Sequence, residues 1–276
     1  MTMLPQNPSG KKLGLVIDLD TCVGCHACVI NCKEWNTSGY GTALSDQDPY
    51  GANPTGAWLN RIHTFEVTPT KPKGQGEGQV IGTAGEARVV HFPKSCLHCE
   101  DAPCVTVCPT GASYKRAEDG IVLVDEEKCI GCGLCAWSCA YGAREMDAAA
   151  GVMKKCTLCV DRIYNEELEE IDRQPACVRT CPAGARHFGD LGDPNSDVSM
   201  LVIERGGFDL MPEQGNRPVN KYLPPRPRTD LGAGLAPVAM EECTEGASGL
   251  LGWIDRALSG KLKSGFSDAA PTKEVN

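Results

Sequence analysis

The chain has 276 residues, a formal net charge of −9, 31 glycines, 19 prolines, 17 cysteines and only 5% aromatic residues. The negative charge, without a basic stripe, argues against a nucleic-acid-binding protein, and no stretch reaches the roughly 18 apolar residues of a membrane-spanning helix. This loop-rich composition indicates that the fold depends on its cysteines more than on packed aromatic side chains.

The N-terminal third of the chain predicts three strands and one helix. A strand over 13–18 leads into the first cysteine motif, and a short helix over 26–35 follows. Residues 40–85 form an insertion rich in glycine, proline and polar residues, with one strand over 57–67. A further strand over 87–92 precedes the second cysteine motif.

Two similar hairpins are predicted in the middle of the chain. One joins 113–116 to 121–125, and the other joins 144–147 to 152–155. Such repetition, with a glycine closing the helix after each of three motifs, indicates two ferredoxin-like modules. The acidic segment 166–172 predicts a solvated helix.

Beyond residue 190 the cysteines nearly stop. We predict a strand over 200–204, an extended proline-rich segment over 212–228 and an amphipathic helix over 247–262. A tail that has no large core of its own is typical of an interaction arm, and we assign that role to this extension.

The third cysteine motif has the spacing C-x2-C-x2-C-x3-C, formed by Cys129, Cys132, Cys135 and Cys139. Bacterial ferredoxins hold [4Fe–4S] clusters with this run, and its fourth cysteine binds the neighbouring cluster when there are two. Three more motifs repeat it, with a wider gap in the second and a much wider one in the fourth: Cys22, Cys25, Cys28, Cys32; Cys96, Cys99, Cys104, Cys108; Cys156, Cys159, Cys177, Cys181.

Two other uses of these cysteines are less consistent with the spacing. Zinc sites usually draw separated C-x2-C pairs and give no reason for a third cysteine and a fourth after x3. A disulfide scaffold is typical of a shorter secreted chain. The sequence therefore predicts four [4Fe–4S] clusters on sixteen of the 17 cysteines, with Cys243 left as a free thiol.

The pattern resembles the four-cluster electron-transfer subunit of membrane-associated molybdopterin oxidoreductases. This family includes the subunits of dimethyl sulfoxide reductase, polysulfide reductase, formate dehydrogenase and quinone-linked sulfite dehydrogenase, of which the last is the most similar. The resemblance covers about 13–225 and includes weaker framework matches at 56–61, 211–213 and 221–223. Its nitrate reductase branch commonly has tryptophan where this chain has Cys132, so four complete cubanes are expected.

The resemblance also implies crossed ligand sets. In each set three cysteines of one motif are joined by the last cysteine of another: Cys22, Cys25, Cys28 with Cys181; Cys156, Cys159, Cys177 with Cys32; Cys96, Cys99, Cys104 with Cys139; Cys129, Cys132, Cys135 with Cys108. We therefore expect an α+β fold of two nested ferredoxin-like modules. The outer comprises 11–39 and 152–190, the inner 86–151, and 191–276 form the C-terminal extension and arm.

The function implied is electron relay between a molybdopterin catalytic subunit and an integral membrane quinone-binding subunit, with sulfite oxidation favoured. Dimethyl sulfoxide, polysulfide or thiosulfate reduction, or a stand-alone polyferredoxin, are the alternatives. No nucleophile–base pair or phosphate-binding glycine loop is present, so no catalytic residue is assigned. Without an apolar or twin-arginine leader in 1–12, we expect the cytoplasmic face of the inner membrane, reached through a partner, and leave periplasmic co-export open. Several basic residues near the cysteines are candidates to stabilise reduced clusters: Lys33, Lys94, Lys128, Lys154, Lys155 and Arg179.

Overall fold

A computed structural model describes residues 3–36, 58–67 and 88–226. The chain divides into the units 1–225 and 226–276, and the second lies almost entirely outside the described residues. The predicted helix over 247–262 and the part of the predicted arm that follows residue 226 therefore lie outside them as well.

The central strand, β1 (Leu13–Asp18), is buried at every position. It lies between antiparallel β8 (Arg186–Asp190) and parallel β9 (Lys221–Leu223), so both of its edges and both of its faces are covered. A strand enclosed in this way needs apolar residues on both faces, which its sequence LGLVID supplies. The prediction over 13–18 is confirmed.

A second, two-stranded sheet packs beside the first. Strand β2 (Asn60–Val67) pairs with antiparallel β3 (Arg88–Ser95) along its whole length. Both predicted strands are confirmed, although β2 begins only at residue 60 and β3 runs three residues further than expected. The buried ring of Phe92 on β3 stacks on Tyr222 of β9 at 4.6 Å between centroids, which joins the two sheets.

Short helices follow the cysteine loops. They are α1 (Ala27–Asn36), α2 (Pro103–Thr106), α3 (Leu134–Trp137), α4 (Val160–Ile163) and α5 (Ala176–Arg179). Helix α1 contacts α5, and α2 contacts α3, so the first motif meets the fourth and the second meets the third. The predicted helix over 26–35 is confirmed to within one residue at each end.

Both predicted hairpins are present in slightly shorter form. Strands β4 (Ser113–Lys115) and β5 (Val122–Val124) pair antiparallel, as do β6 (Glu145–Asp147) and β7 (Val152–Lys154). Gly120 and Gly151 lie in the two turns with φ of +73° and +68°, a region that favours glycine because it has no Cβ.

The predicted strand over 200–204 is wrong, because this segment belongs to helix α6 (Asp197–Glu204). The Ser196 side chain caps the helix by accepting a hydrogen bond from the Ser199 N–H. The apolar run consists of residues three and four apart that pack against Val16 and Leu223: Val198, Leu201 and Val202. The short run was thus one face of a helix, a distinction that periodicity over five residues cannot make.

Two other segments differ from the expectation. The acidic helix over 166–172 is reduced to a 3-10 turn at Glu170–Asp172. The extended segment 212–228 contains a 3-10 turn at Pro212–Gln214 and strand β9, and residues 227–228 lie outside the described part. Among the described helices, none is long and apolar enough to cross a membrane.

Candidate iron–sulfur centres

All four cysteine motifs use the same backbone device. The second residue after the first cysteine has a positive φ in each: Gly24 (68°), His98 (49°), Gly131 (65°) and Leu158 (54°). This conformation turns the loop so that the next cysteine follows within one tight bend. It strains a non-glycine residue by about 1–3 kcal/mol, and the two that accept it, His98 and Leu158, are both fully buried.

The sixteen cysteines within the described residues are free thiols, and most of them are buried. Cys25 in the first motif and Cys132 in the third are exposed. No group of three or more His, Cys, Asp or Glu within ranges 3–36, 58–67 and 88–226 is arranged to hold a single metal ion. The absence of disulfides among these cysteines leaves all sixteen available as ligands.

A small cavity lies among four of these thiols. Three belong to the third motif and one to the second: Cys129, Cys132, Cys135 and Cys108. Backbone amides of Ser113 and Met153 donate to the sulfurs of Cys108 and Cys129, each at 3.4 Å. Amide donors at thiolate sulfur are a common feature of iron–sulfur sites, where they stabilise negative charge.

The fourth cysteine of the third motif lies with the second motif. Burial raises the pKa of the Cys99 thiol, and three neighbouring thiolates raise it further: Cys96, Cys139 and Cys104. Only Cys139 in this group is remote from the others in sequence. The last cysteine of each of these two motifs therefore lies with the other motif, since Cys108 lines the cavity of the third.

Cys32 of the first motif lies with the fourth motif. The Asn36 side-chain amide is 3.6 Å from the sulfurs of both Cys32 and Cys159. Burial raises the pKa of Cys32 well above its ordinary value, and the thiolates that add to this all belong to the fourth motif: Cys156, Cys177 and Cys159. The seventeen-residue gap in the fourth motif thus does not separate its cysteines in space.

Cys181 lies with the first motif in return. Burial raises the pKa of the Cys22 thiol, and the neighbouring thiolates that contribute are Cys28 and Cys181. The Ala185 N–H donates to the Cys181 sulfur at 3.3 Å, as the Leu158 N–H does to Cys156 at 3.5 Å. Cysteines of the first motif therefore lie with cysteines of the fourth, and cysteines of the second lie with cysteines of the third.

The basic residues predicted near the cysteines fall into exposed and buried ones. Lys128 is exposed and paired with Asp125 at 2.5 Å, and Arg179 is exposed and paired with Asp172 at 2.6 Å. Lys33, by contrast, is buried and lies 4.6 Å from the centre of the Trp58 ring. Lys155 is also buried, and its ammonium donates to the carbonyl oxygen of Cys156 at 2.6 Å.

Two buried arginines were missed in the sequence. Burial opposes the charge of Arg144, but the thiolates around it raise its pKa: Cys104, Cys96 and Cys135. Burial likewise opposes the charge of Arg186, and its pKa is raised mainly by Cys177 and Cys28. A signal was present, because each arginine comes five residues after the last cysteine of its motif.

The cysteine groups, their amide donors and the nearby cations fit [4Fe–4S] clusters. The fold and these sites define an iron–sulfur protein of the bacterial ferredoxin type with two cluster pairs. Two family models, both described as a 4Fe-4S dicluster domain, match residues 21–112 and 87–191. The chain holds four [4Fe–4S] clusters, as the sequence predicted.

Several known redox proteins are similar to this chain along most of its length. It is 60% identical over 215 residues to a sulfite dehydrogenase subunit of Allochromatium vinosum, covering 78% of this chain and 84% of that protein. It is 35% identical to a tetrathionate reductase subunit of Salmonella typhimurium, covering 77% and 72%. It is 32% identical to a polysulfide reductase component of Wolinella succinogenes, covering 75% and 92%. This protein therefore belongs to the family of four-cluster iron–sulfur electron-transfer subunits.

Proposed function

We propose that this chain relays electrons in sulfite oxidation, from a molybdopterin catalytic subunit to a quinone-binding membrane subunit. The observation that carries the substrate is the 60% identity to the sulfite dehydrogenase subunit of Allochromatium vinosum over most of both chains. A bound [4Fe–4S] cluster supplies one-electron redox chemistry, and the protein adjusts its potential through burial, hydrogen bonds and nearby charge.

We assign the ligands to four sites, numbered in the order of the relay. Site 1 is Cys22, Cys25, Cys28 and Cys181; site 2 is Cys156, Cys159, Cys177 and Cys32; site 3 is Cys96, Cys99, Cys104 and Cys139; site 4 is Cys129, Cys132, Cys135 and Cys108. The cavity among the thiols of site 4 supports this assignment, and so does the Asn36 amide between Cys32 and Cys159.

We propose this order because, beyond the effect of burial, a thiolate of one site raises the pKa of a thiol in the next, which means that the two lie close together. Cys28 of site 1 raises the pKa of Cys177 in site 2. Cys96 of site 3 raises the pKa of Cys156 in site 2. Cys104 of site 3 raises the pKa of Cys135 in site 4. We therefore propose sites 1 and 4 as the two ends of the relay.

The ends of the relay are also the accessible parts of it. The exposed thiols, Cys25 and Cys132, belong to sites 1 and 4. Around Cys132 the side chains of Ile130, Leu134 and Trp137 are exposed, and Trp137 is 78% accessible. Apolar surface of this kind is typical of a docking site. We propose that site 1 faces the molybdenum subunit and site 4 the membrane subunit.

The proposed nesting assigns 11–39 and 152–190 to an outer module, 86–151 to an inner module, 40–85 to an insertion and 191–276 to a C-terminal extension. Pairing of β1 with β8 and contact of α1 with α5 support the outer module. Contact of α2 with α3 supports the inner module. We assign the residues after 226 to an interaction arm on the sequence prediction alone.

The chain's own residues hold and shield the clusters, and none of them is assigned to catalysis. The thiols provide ligands and backbone amides stabilise their charge, while burial of most of their thiols keeps solvent away from sites 2 and 3. The proposed place is the cytoplasmic face of the inner membrane, where free thiols persist, with attachment through the membrane subunit. Protease treatment of spheroplasts tests this: degradation of the chain from outside would contradict it.

Reduction of polysulfide or of dimethyl sulfoxide is the second candidate. Its support is the 32% identity to the polysulfide reductase component, which covers 92% of that protein. The same relay would then run in the opposite direction.

The substrate proposal is tested on the purified complex. With sulfite, the complex reduces a quinone analogue, and this subunit alone does not. Turnover with polysulfide or dimethyl sulfoxide and none with sulfite would refute the substrate and leave the relay intact. Sulfite oxidation by the isolated subunit would refute the relay.

A further inference from the structure

The Arg144 guanidinium lies between the two sites of the inner module. Its Nη2 donates to the Ser113 hydroxyl at 2.8 Å, and Ser113 in turn lines the cavity of site 4. Its Nη1 is buried without a hydrogen-bond partner among the described protein atoms. Arg144 as a whole is 8% exposed.

Arg186 has the same arrangement in the outer module. Its Nη2 donates to the Asn60 side-chain oxygen at 2.9 Å, while its Nη1 is buried without a partner among the described protein atoms. The residue is 4% exposed, and its position in the chain relative to Cys181 equals that of Arg144 relative to Cys139. The two arginines are thus equivalent residues of a repeated unit.

Lys155 lies where the two modules meet. Its ammonium donates to the carbonyl oxygens of Val122 and Cys156, and the residue is 3% exposed. None of the ion pairs in the described part of the chain involves Lys155. Its charged neighbours include Cys96 of site 3 and Cys156 of site 2.

Burying a cation without an opposite charge is strongly unfavourable, so each of these groups needs negative charge nearby. The thiolates of the adjacent sites supply it. For Arg144 these are Cys104 and Cys96 of site 3 and Cys135 of site 4. For Arg186 they are Cys177 of site 2 and Cys28 of site 1.

We infer that one buried cation lies in each of the three gaps of the relay, where it raises the reduction potentials of the two sites beside it. Arg186 lies between sites 1 and 2, Lys155 between sites 2 and 3, and Arg144 between sites 3 and 4. The buried Nη1 groups of both arginines point to acceptors on the clusters themselves. This inference rests on the proposed ligand sets and not on the identity of the substrate.

A shared cation has a specific consequence for the relay. An electron on either neighbouring site is stabilised by the same charge, so moving it between the two changes the interaction little. A cation beside only one site would favour that site and oppose further transfer. The arrangement therefore keeps the reduction potentials of neighbouring sites close. It also stabilises the negative charge that reduction adds to a cluster in the low-dielectric interior.

The test is a potentiometric titration of the full chain in its complex, followed by EPR, with the variants Arg186→Gln, Lys155→Gln and Arg144→Gln. Each variant lowers two of the four midpoint potentials. The arginine variants affect different pairs, and Lys155→Gln affects one member of each pair. Arg144→Lys, which retains the charge, restores potentials towards those of the wild type.

Lys128→Gln is the matched control for Lys155→Gln. Lys128 also directly precedes a cysteine, but its side chain is 63% exposed and paired with Asp125, so its removal leaves all four potentials unchanged. Equal shifts in the two lysine variants would overturn the inference. So would unchanged potentials in a glutamine variant that retains its full iron content. Incomplete iron binding by wild-type protein would instead refute the ligand sets.

A second measurement needs no substitution that could impair folding. Wild-type protein containing arginine labelled with ¹⁵N in the guanidinium shows ¹⁵N hyperfine coupling in the pulsed EPR of the reduced clusters. Part of this coupling is lost in Arg144→Lys. Absence of any coupling would overturn the placement of the arginines.

Discussion

Leu15 lies opposite Phe188 in the antiparallel pairing of β1 with β8, which places the start of the protein next to the segment that follows its last cluster ligand. Cys22 follows shortly after the end of β1, and Cys181 comes shortly before the start of β8. Two of the four cysteines assigned to site 1, Cys22 and Cys181, therefore flank strands of one small sheet. Stability of this sheet and binding of the first cluster should depend on each other.

The ion pair of Asp18 and Arg205 tests this dependence. Arg205 Nη1 is 3.0 Å from Asp18 Oδ2, and both side chains are largely buried. Because removing one partner of such a pair leaves the other uncompensated, Asp18→Asn should destabilise the protein by about 2–3 kcal/mol. The measurement is the temperature at which cluster absorbance is lost, which should fall.

Asp101→Asn provides the control, because its pair with Arg217 is exposed to solvent and contributes little to stability. Burial raises the pKa of Asp18, but hydrogen bonds from the Asp20 N–H, Thr21 and Arg205 outweigh it and hold the pKa below its ordinary value. The stability that the ionised Asp18 contributes is therefore present at neutral pH. It is lost only in acid, as the pH falls below about 3.9 and through the lowered pKa of Asp18. Equal effects of the two substitutions at pH 7 would contradict this assignment.

Two glycines of the third motif separate backbone strain from steric conflict. Gly131 and Gly133 have φ of +65° and +75°, so alanine costs roughly 1–2 kcal/mol at either position. A Cβ on Gly131 would also lie 2.5 Å from the Gly151 carbonyl oxygen, whereas one on Gly133 meets nothing within 4 Å. We expect Gly131→Ala to lower the iron content and Gly133→Ala to retain it. Iron analysis showing equal losses would mean that strain alone decides.

Replacing Cys132 tests the assignment of site 4. Cys132→Ser or Cys132→Trp should leave three thiolates around one cluster and favour loss of one iron, because the thiolate supplies the bond at that corner. EPR of the oxidised variant should then show a new [3Fe–4S] signal. Cys243→Ser should leave the spectrum and the iron content unchanged. A Cys132 variant indistinguishable from wild type would remove Cys132 from the ligands.

Metal analysis of the anaerobically purified chain tests the number of clusters. Four complete ligand sets should bind about sixteen irons and sixteen sulfides, by the rule of four cysteines per cluster. Zinc in place of iron, or about half that iron, would contradict the assignment.

The elements that sequence reasoning predicted are those defined by local pattern. The strand over 13–18 is a continuous apolar run, and the hairpins joining β4 to β5 and β6 to β7 have glycine in their turns. Helix α6 was missed because its apolar residues form too short a run to distinguish strand from helix. The pairing of β9 with β1 was not predictable, because a strand of three residues carries no periodic signal.

The candidate sites show the same division. Spacing predicted which cysteines are candidate ligands, since a tight loop fixes neighbouring cysteines. It did not identify Arg144 and Arg186, whose relevance depends on which motifs meet in space. His98, inside the second cysteine motif, has a structural contact that the fold alone reveals: it is buried completely and its Nδ1 accepts the Val122 N–H at 3.1 Å. The role of a charged or polar residue can be inferred only when the structure shows that it is buried and which group balances its charge or satisfies its hydrogen bonds.

Reduction of the clusters by substrate tests the central claim, electron relay through this chain, most directly. When sulfite is added anaerobically to the purified complex without quinone, the absorbance of the oxidised clusters in this subunit should bleach and their reduced EPR signals should appear. A quinone analogue should then reverse both changes, and the isolated subunit should not respond to sulfite. Rapid sulfite oxidation by the complex, with the clusters of this chain remaining oxidised before quinone is added and unaffected by it afterwards, would contradict the relay.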